Sequence, residues 1–411
     1  MSLPRALAIV GPTASGKSRL AVWLAERLGL PVLCCDSVQV YRGLDIGSAK
    51  PGPELRARVP HKLIDLVAPD AEFSAGDYAA AAHVELARGP GLFAGGTGFY
   101  LRAVGWTHSG GDVADAERGA QRSGAIAATH REDVADASAR GAAGEAGRAA
   151  GTSGGATGEA GREAAGTSGG AADEVGREAG TRGGEVARGG GPVAEAGRAE
   201  FTARWEAAER AAPGAVHAAL SRVDPETARA IHPRNVVRAL RALWLCEAHG
   251  QPVSRVREVD PSRPRARLGL IVLEPAVDAL DRAIDARCDA MMRAGFLAEV
   301  EMLRRAGYDA RHKSMRSLGY RQLLEHLEGH LSLADAVAAI KLATRHYARR
   351  QRTYFRHQLA AHDVSGASGA VALRIAVAAP LWEPALDLSR ETGAWLPRVE
   401  QFIGSIAGAS S

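Results

Sequence analysis

Of 411 residues only four are cysteine, Cys34, Cys35, Cys246 and Cys288, and none of them forms a C-x-x-C pair. Neither a disulfide framework nor a zinc site is therefore indicated, and a reduced, cytoplasmic setting is expected. Lysine is also scarce, with five positions among 51 Lys and Arg, so the positive charge is almost all arginine. In a chain this rich in Ala and Gly, that bias fits a GC-rich genome and says little about function. Long apolar runs are missing: none approaches the ~20 residues of a bilayer span, so no membrane partner is expected. The first apolar run begins at Ala6 and reads as a strand, so no signal peptide is expected. The length leaves room for two or three domains.

What is present begins with Ala6-Leu7-Ala8-Ile9-Val10, a run short enough to be a buried parallel strand. It leads into Gly11-Pro12-Thr13-Ala14-Ser15-Gly16-Lys17-Ser18, and then into Arg19–Leu28, where Leu20, Leu24 and Leu28 recur at helical spacing. Strand, glycine loop and helix start are the context that makes G-x-x-x-x-G-K-S a phosphate-binding loop. Its backbone N–H groups and the helix N-terminus attract a diphosphate or triphosphate. Lys17 adds a point charge for the outer phosphates, and Ser18 can ligate Mg²⁺.

Leu30–Cys35 reads as a second buried strand that ends at Asp36-Ser37. Ligands of open α/β sheets sit beyond the carboxyl ends of strands, which places Asp36 in the crevice of the phosphate loop. A turn or cap aspartate fits that position equally well. Residues 39–51 read as a polar, glycine-punctuated surface loop, and His61–Val67 as a further short apolar stretch. Gly91–Ala94 reads as another strand, running into Gly95-Gly96-Thr97-Gly98, a second anion-facing loop with Thr97 as hydroxyl donor.

From about 108 to 198 the composition changes. E-A-G-R-A-A-G-T-S-G-G from Glu145 recurs from Glu159 and, altered, from Glu174. These copies have almost no large apolar side chains, so they cannot form a solenoid core, and the segment reads as a disordered loop insertion. Helical pattern resumes from about 199, and Asp224 is expected to cap a helix opening at Pro225. Arg234, Arg238 and Arg241 then fall on one helix face, as a solvated stripe or as an anion contact.

Leu268–Leu273 reads as a strand, followed by helices over 277–292 and 296–306. A long helix is expected over Ala334–His357, capped by Ser332. Along it Lys341, Arg345, Arg349, Arg352 and Arg356 recur at steps of three and four, with Arg350 beside them and Tyr347, Tyr354 and Phe355 interleaved. Acidic partners at i±4 on the same helix are missing, so the stripe reads as the footprint of a polyanion, best a nucleic acid. Beyond Val364 only a short terminal helix from Pro397 to about Ile406 is indicated.

Taken together, these blocks resemble the tRNA dimethylallyltransferases (IPP transferases) of bacterial type. The matching segments are G-P-T-A-S-G-K-S from Gly11, D-S-V-Q-V-Y-R-G-L-D-I-G-S-A-K-P from Asp36 and G-G-T-G-F-Y-L-R-A from Gly95. Further matches are I-H-P-R-N-V-V-R-A-L-R-A-L from Ile231, G-F-L-A-E-V from Gly295, R-S-L-G-Y-R-Q from Arg316 and A-R-R-Q-R-T-Y-F-R from Ala348. The resemblance implies an α/β fold, a P-loop NTPase-like parallel sheet flanked by helices, with a helical insertion and a helical C-terminal tRNA-binding part. It divides the chain at 1–105 (core, first part), 106–221 (insertion, helical over 199–221), 222–360 (core completion and basic helices) and 361–411 (tail).

The activity implied is transfer of a dimethylallyl group from dimethylallyl diphosphate to N6 of adenosine 37, in tRNAs that read codons beginning with U. The residues carried over as catalytic are Asp36, Thr97, Lys17 and Arg287. Gly11, Pro12, Thr13, Ala14, Ser15, Gly16, Lys17 and Ser18 would form the phosphate- or ATP-binding loop, and of these Thr13, Ala14, Ser15, Gly16, Lys17 and Ser18 would hold the donor diphosphate, with Mg²⁺ on Ser18 as cofactor. Asp36, Ser37, Val38, Gln39 and Thr97 would face the target base. Val237, Arg238, Ala239, Leu240 and Arg241 would grip the anticodon stem-loop, together with Arg316, Ser317, Leu318, Gly319, Tyr320 and Arg321. The same is implied for Arg349, Arg350, Gln351, Arg352 and Arg356, in an enzyme expected to be monomeric.

Ser48 and Lys62 stand where the family usually has threonine and histidine, and the repeat displaces much of the usual insertion domain. No cysteine follows Cys288, so the bacterial type, without the C-terminal zinc finger of eukaryotic relatives, is the expected match. The main rival reading is a small-molecule kinase using ATP on the same glycine loop. A non-enzymatic RNA-binding protein or GTPase-like switch is a second rival, and an enzyme that prenylates free adenine nucleotides a third.

Overall fold

The computed structural model describes residues 5–106, 192–259, 265–357, 370–377 and 396–408. Of the segment expected to be disordered, about 108–198, residues 108–191 lie outside the described residues, whereas 192–198 are helical.

The core is a six-stranded sheet, all of its pairs parallel, in the order β3-β2-β4-β1-β5-β6. Its strands are β1 (Arg5–Val10), β2 (Val32–Cys34), β3 (His61–Lys62), β4 (Leu92–Ala94), β5 (Arg267–Pro275) and β6 (Ala370–Val377). The central strands are apolar at successive positions because both faces are covered. In β1, Ala6, Ala8 and Val10 enter one hydrophobic cluster, while Leu7 and Ile9 enter the other. The same alternation in β5 sends Leu268, Leu270 and Val272 one way and Ile271 and Leu273 the other. On one face the sheet packs against α1 (Lys17–Leu28), through Leu20, Ala21, Leu24 and Ala25. On the other it packs against α3 (Ala75–Arg88) and α4 (Gly98–Gly105), after the short α2 (Pro53–Arg58).

The chain leaves this core at the end of α4, and the described residues before its return form five helices: α5 (Pro192–Ala211), α6 (Ala215–Val223), α7 (Pro225–Arg229), α8 (Val236–His249) and α9 (Val253–Val259). They share a separate hydrophobic cluster that includes Phe201, Leu220, Leu243 and Val253. Helix starts at Pro192 rather than at 199, and 222 is no change of core, because α7–α9 pack with the helices before that point. Asp224 caps α7 as expected: its carboxylate accepts Thr227 N at 3.0 Å and also Ser254 N at 2.8 Å, tying α7 to α9. On return to the core, Gly105 O accepts Arg265 N at 2.7 Å and Ala266 N at 3.3 Å, so exit and re-entry are bonded to each other.

The rest is α10 (Val277–Arg293), α11 (Phe296–Arg305), α12 (Tyr320–Leu327), α13 (Leu333–His357) and the terminal α14 (Leu396–Gly408). Ser332 caps α13, accepting Asp335 N at 3.1 Å. Strand β6 has no counterpart in the sequence reading. It pairs with β5 from Leu268↔Ala370 to Pro275↔Val377, buries Ile375 and Val377, and joins Arg374 to Glu274 at 2.7 Å.

Candidate active site

The carboxyl ends of β1, β4 and β2 lie side by side, so the three loops that follow them meet. The phosphate loop closes tightly against β5. Gly11 has φ +148°, and a Cβ there would lie 2.7 Å from Leu273 O, so only glycine fits. Gly16 (φ +89°) opens α1 in the left-handed conformation, which Ala14 also adopts (φ 60°). The Ser15 hydroxyl is buried, with no hydrogen-bond partner among the described residues. In the loop after β4, a Cβ on Gly95 would sit 1.9 Å from Cys35 O, and the two strand-end loops touch because it is absent.

A cavity of about 260 Å³ opens beside these loops. Thr13, Ala14, Asp36, Ser37 and Val38 line it from the sheet side, and Gly47 and Ser48 from the loop after β2. Ile284, Arg287, Cys288 and Met291 of α10 and Ile340, Thr344 and Tyr347 of α13 close it opposite, with Phe296 and Ser317–Gly319. The helical contributions follow i, i+3/i+4, i+7 spacing, so each helix offers one face. The cavity thus has a polar, charged end and an apolar wall.

At the polar end Arg287 Nη1 donates to Thr13 Oγ1 at 3.2 Å, and Lys17 Nζ donates to Pro12 O at 2.5 Å. Burial, and after it the Arg287 charge, lower Lys17 to about 7, with Asp36 opposing both. Arg287 is likewise lowered by burial and raised by Asp36. Asp36 Oδ1 accepts the amides of Val38 (2.8 Å) and Gln39 (3.4 Å), a turn that fixes the carboxylate beyond β2. Thr97 opens α4 and does not line the cavity. Its Oγ1 accepts Ser37 N at 3.1 Å, and the phenol of Tyr347 in the cavity wall is raised by burial and by the Asp36 charge. Ser18 is exposed at the start of α1. Lys17, Ser18 and Thr97 flank the cavity rather than forming its walls.

The basic stripe of α13 requires correction. Its acidic partners, missing along the helix itself, stand on α10: Lys341–Asp289 (2.6 Å), Arg345–Asp285 (2.7 Å) and Arg349–Asp281 (3.1 Å) form a three-rung ladder. Arg352 donates to Pro275 O at 2.7 Å, while Arg350 and Arg356 are exposed. Gln351 does not face solvent. It is 6 % exposed, accepts Thr13 N at 2.8 Å and donates to Gly96 O at 2.9 Å, clamping the two glycine loops together. Tyr320 is buried against Glu299, and Ala239 lies in the core of the separate helical cluster, so neither side chain is presented to a partner. Val237 (80 % exposed), Arg238, Arg241, Arg316 and Arg321 are open to solvent, and Leu240 is half-buried.

Sequence reasoning missed Glu299, which is buried in the segment from Gly295 with four hydrogen-bond donors upon it. The available signal was an acid in helical register with the apolar Phe296 and Leu303, which does not indicate what it binds.

The IPP transferase model matches residues 39–139 and 186–358, and an isopentenyl transferase model matches residues 4–59. The chain belongs to the IPP transferase family. Among its relatives, "tRNA dimethylallyltransferase 2" of Geotalea uraniireducens is 36 % identical over 356 residues, covering 84 % of this chain and 87 % of its own. "tRNA dimethylallyltransferase" of Roseiflexus sp. is 35 % identical over 357 residues, 85 % of this chain and 89 % of its own. The fold is also that of a full-length tRNA isopentenylpyrophosphate transferase from Bacillus halodurans, with TM-score 0.54, 24 % identity and 99 % coverage of both chains. A eukaryotic dimethylallyltransferase acting on tRNA superposes with TM-score 0.64 at 17 % identity, over 97 % of this chain and 79 % of that one. The small-molecule kinase reading finds no support in this family. No helix among the described residues is long and apolar enough to cross a membrane.

Proposed function

We propose that this IPP transferase family member moves a dimethylallyl group from dimethylallyl diphosphate to N6 of adenosine 37 in tRNAs that read codons beginning with U. The observation that carries this reading is one cavity joining Thr13 of the phosphate loop, Arg287 and Asp36 to an apolar wall. A diphosphate with a short branched hydrocarbon tail matches both ends.

The N6–C1 bond forms as the C1–O bond breaks, and pyrophosphate leaves. Charge developing on the leaving oxygen is stabilised by the loop amides, by Lys17 and by Arg287, whose planar fork grips phosphate from the helical side. Asp36 accepts the proton that N6 loses, because an aromatic amine is too weak a nucleophile unaided. The target base leaves the anticodon-loop stack to reach Asp36, at a cost of about a few kcal/mol. Arg238, Arg241, Arg316, Arg321, Arg350 and Arg356 are the exposed cations proposed to hold the RNA backbone.

Among the described residues no group of three or more His, Cys, Asp or Glu is placed to hold a metal ion. The exposed Ser18 hydroxyl suits Mg²⁺, which is held mainly by phosphate oxygens and water. When bound there, Mg²⁺ would neutralise diphosphate charge. The enzyme is proposed to act as a monomer, and its four free buried cysteines fit the reducing cytoplasm.

The test is transfer of radiolabel from dimethylallyl diphosphate to a tRNA with adenosine at positions 36 and 37. Label reaching a small acceptor from ATP instead would sink the reading.

A further inference from the structure

The loop between β2 and α2 supplies two parts of the cavity, Asp36–Val38 at its start and Gly47 and Ser48 further on. Gln39 Nε2 ties the two parts together, donating to Ser48 O at 3.1 Å and Ala49 O at 3.2 Å. The middle of the loop is held from outside, by Glu299 of α11. One carboxylate oxygen accepts Asp45 N at 3.0 Å and Ile46 N at 2.6 Å. The other accepts Gly47 N at 3.2 Å and the Tyr320 hydroxyl at 2.7 Å. Three successive backbone amides converging on one anion form a nest, and charge-assisted bonds of this kind are about twice as strong as neutral ones. Glu299 is only 8 % exposed, so water does not compete for the carboxylate.

The backbone is fitted to this grip. A Cβ on Gly47 would lie 2.1 Å from the Phe296 ring and 2.6 Å from that of Tyr320, so the loop can lie against these rings only as glycine. Phe296 and Tyr320 meet edge to face at 5.0 Å, and Phe296 itself lines the cavity one turn before Glu299. Burial and the Glu299 charge push the Tyr320 phenol well above its ordinary value, so it stays a donor. Ser317–Gly319, which precede Tyr320, line the cavity as well. One buried carboxylate therefore joins the Gly47 wall to the segment that carries Ser317–Gly319.

We infer that Glu299 is a positioning residue for the transfer reaction: by holding the amides of Asp45, Ile46 and Gly47 it fixes the wall against which the acceptor base is presented, touching neither substrate. This rests on the proposed function. Nothing holds the diphosphate through Glu299, so its loss should separate acceptor turnover from diphosphate binding.

The experiment compares wild type with Glu299→Gln and Glu299→Asp in the full chain. It measures label transfer to tRNA, calorimetric affinity for Mg²⁺-pyrophosphate and thermal melting. In Glu299→Gln an amide nitrogen replaces one acceptor oxygen and faces backbone donors. The expected result is a fall of about a hundredfold in kcat/KM for tRNA with pyrophosphate affinity within about twofold of wild type. Glu299→Asp, which keeps the carboxylate on a shorter stem, should recover part of the loss. Equal loss of turnover, pyrophosphate affinity and melting temperature would overturn the inference, as would unchanged turnover. If Glu299→Gln fails to fold, Glu299→Asp is read by the same criteria, and failure of both to fold also counts against it. Absence of transfer by wild type would refute the proposed function instead.

Discussion

Gln351 accepts the amide proton of Thr13 at 2.8 Å, a bond between the phosphate loop and a helix 338 residues further along the chain. The same side chain donates to Gly96 O, so one amide holds both glycine loops in register. Gln351→Ala leaves a buried N–H and a carbonyl without partners, which costs about 1–3 kcal/mol of stability. Urea unfolding should read that loss. Pyrophosphate affinity should fall with it, because Thr13 N belongs to the loop that would cradle phosphate.

Lys17 sets the second expectation. Its value of about 7 in the described loop means that much of it is neutral above pH 7. A bound diphosphate favours the charged form, so binding takes up a proton between pH 7 and the higher value of the complex. Affinity for pyrophosphate should therefore weaken as pH rises above 7, by up to about tenfold per pH unit. Calorimetry in buffers of different ionisation enthalpy detects the proton. Lys17→Met should bind weakly and lack this part of the pH dependence, leaving only the ligand's own titration.

For Asp36 the informative change is Asp36→Asn. Asparagine retains an oxygen for the amides of Val38 and Gln39 but no longer takes a proton at neutral pH. Single-turnover transfer should drop by about 10²–10⁴-fold, with tRNA binding nearly intact. Lost binding with normal turnover would remove Asp36 from the role of base.

The ladder between α10 and α13 separates two kinds of arginine. Arg345 is paired with Asp285 at 2.7 Å, whereas Arg316 is exposed and makes no ion pair among the described residues. Arg316→Ala should weaken tRNA binding and reduce the slope of log affinity against log salt by about 1. Arg345→Ala should leave the slope unchanged and lower stability by about 0.5–1 kcal/mol, as for a partly exposed pair. Filter binding across a salt series distinguishes the two.

What was legible in the chain followed from local rules. The glycine spacing of 11–18 between a strand and a helix specifies one loop geometry, and Asp36 follows because it terminates the next strand. The stripe on α13 is visible in the sequence, but its charge partners do not lie along that helix: Asp281, Asp285 and Asp289 repeat at matching intervals on another. Gln351 looks like any polar residue among arginines, and its burial depends on two loops far away in sequence. Strand β6 is rich in alanine, and it is a strand because β5 offers a free edge beside it. Glu299 carries no local signal for the loop it holds, because its donors are backbone amides, which every sequence possesses.

Gly105 O, bonded to both Arg265 N and Ala266 N, gives the fold a closed port. The chain departs and returns through one pair of bonded strands of backbone, and the cavity-forming core meets the same two ends whatever lies between them. The entropy of such an excursion grows only with the logarithm of its length. Growth or shrinkage of the sequence in that interval therefore adds little to the entropy of bringing Gly105 and Arg265 together.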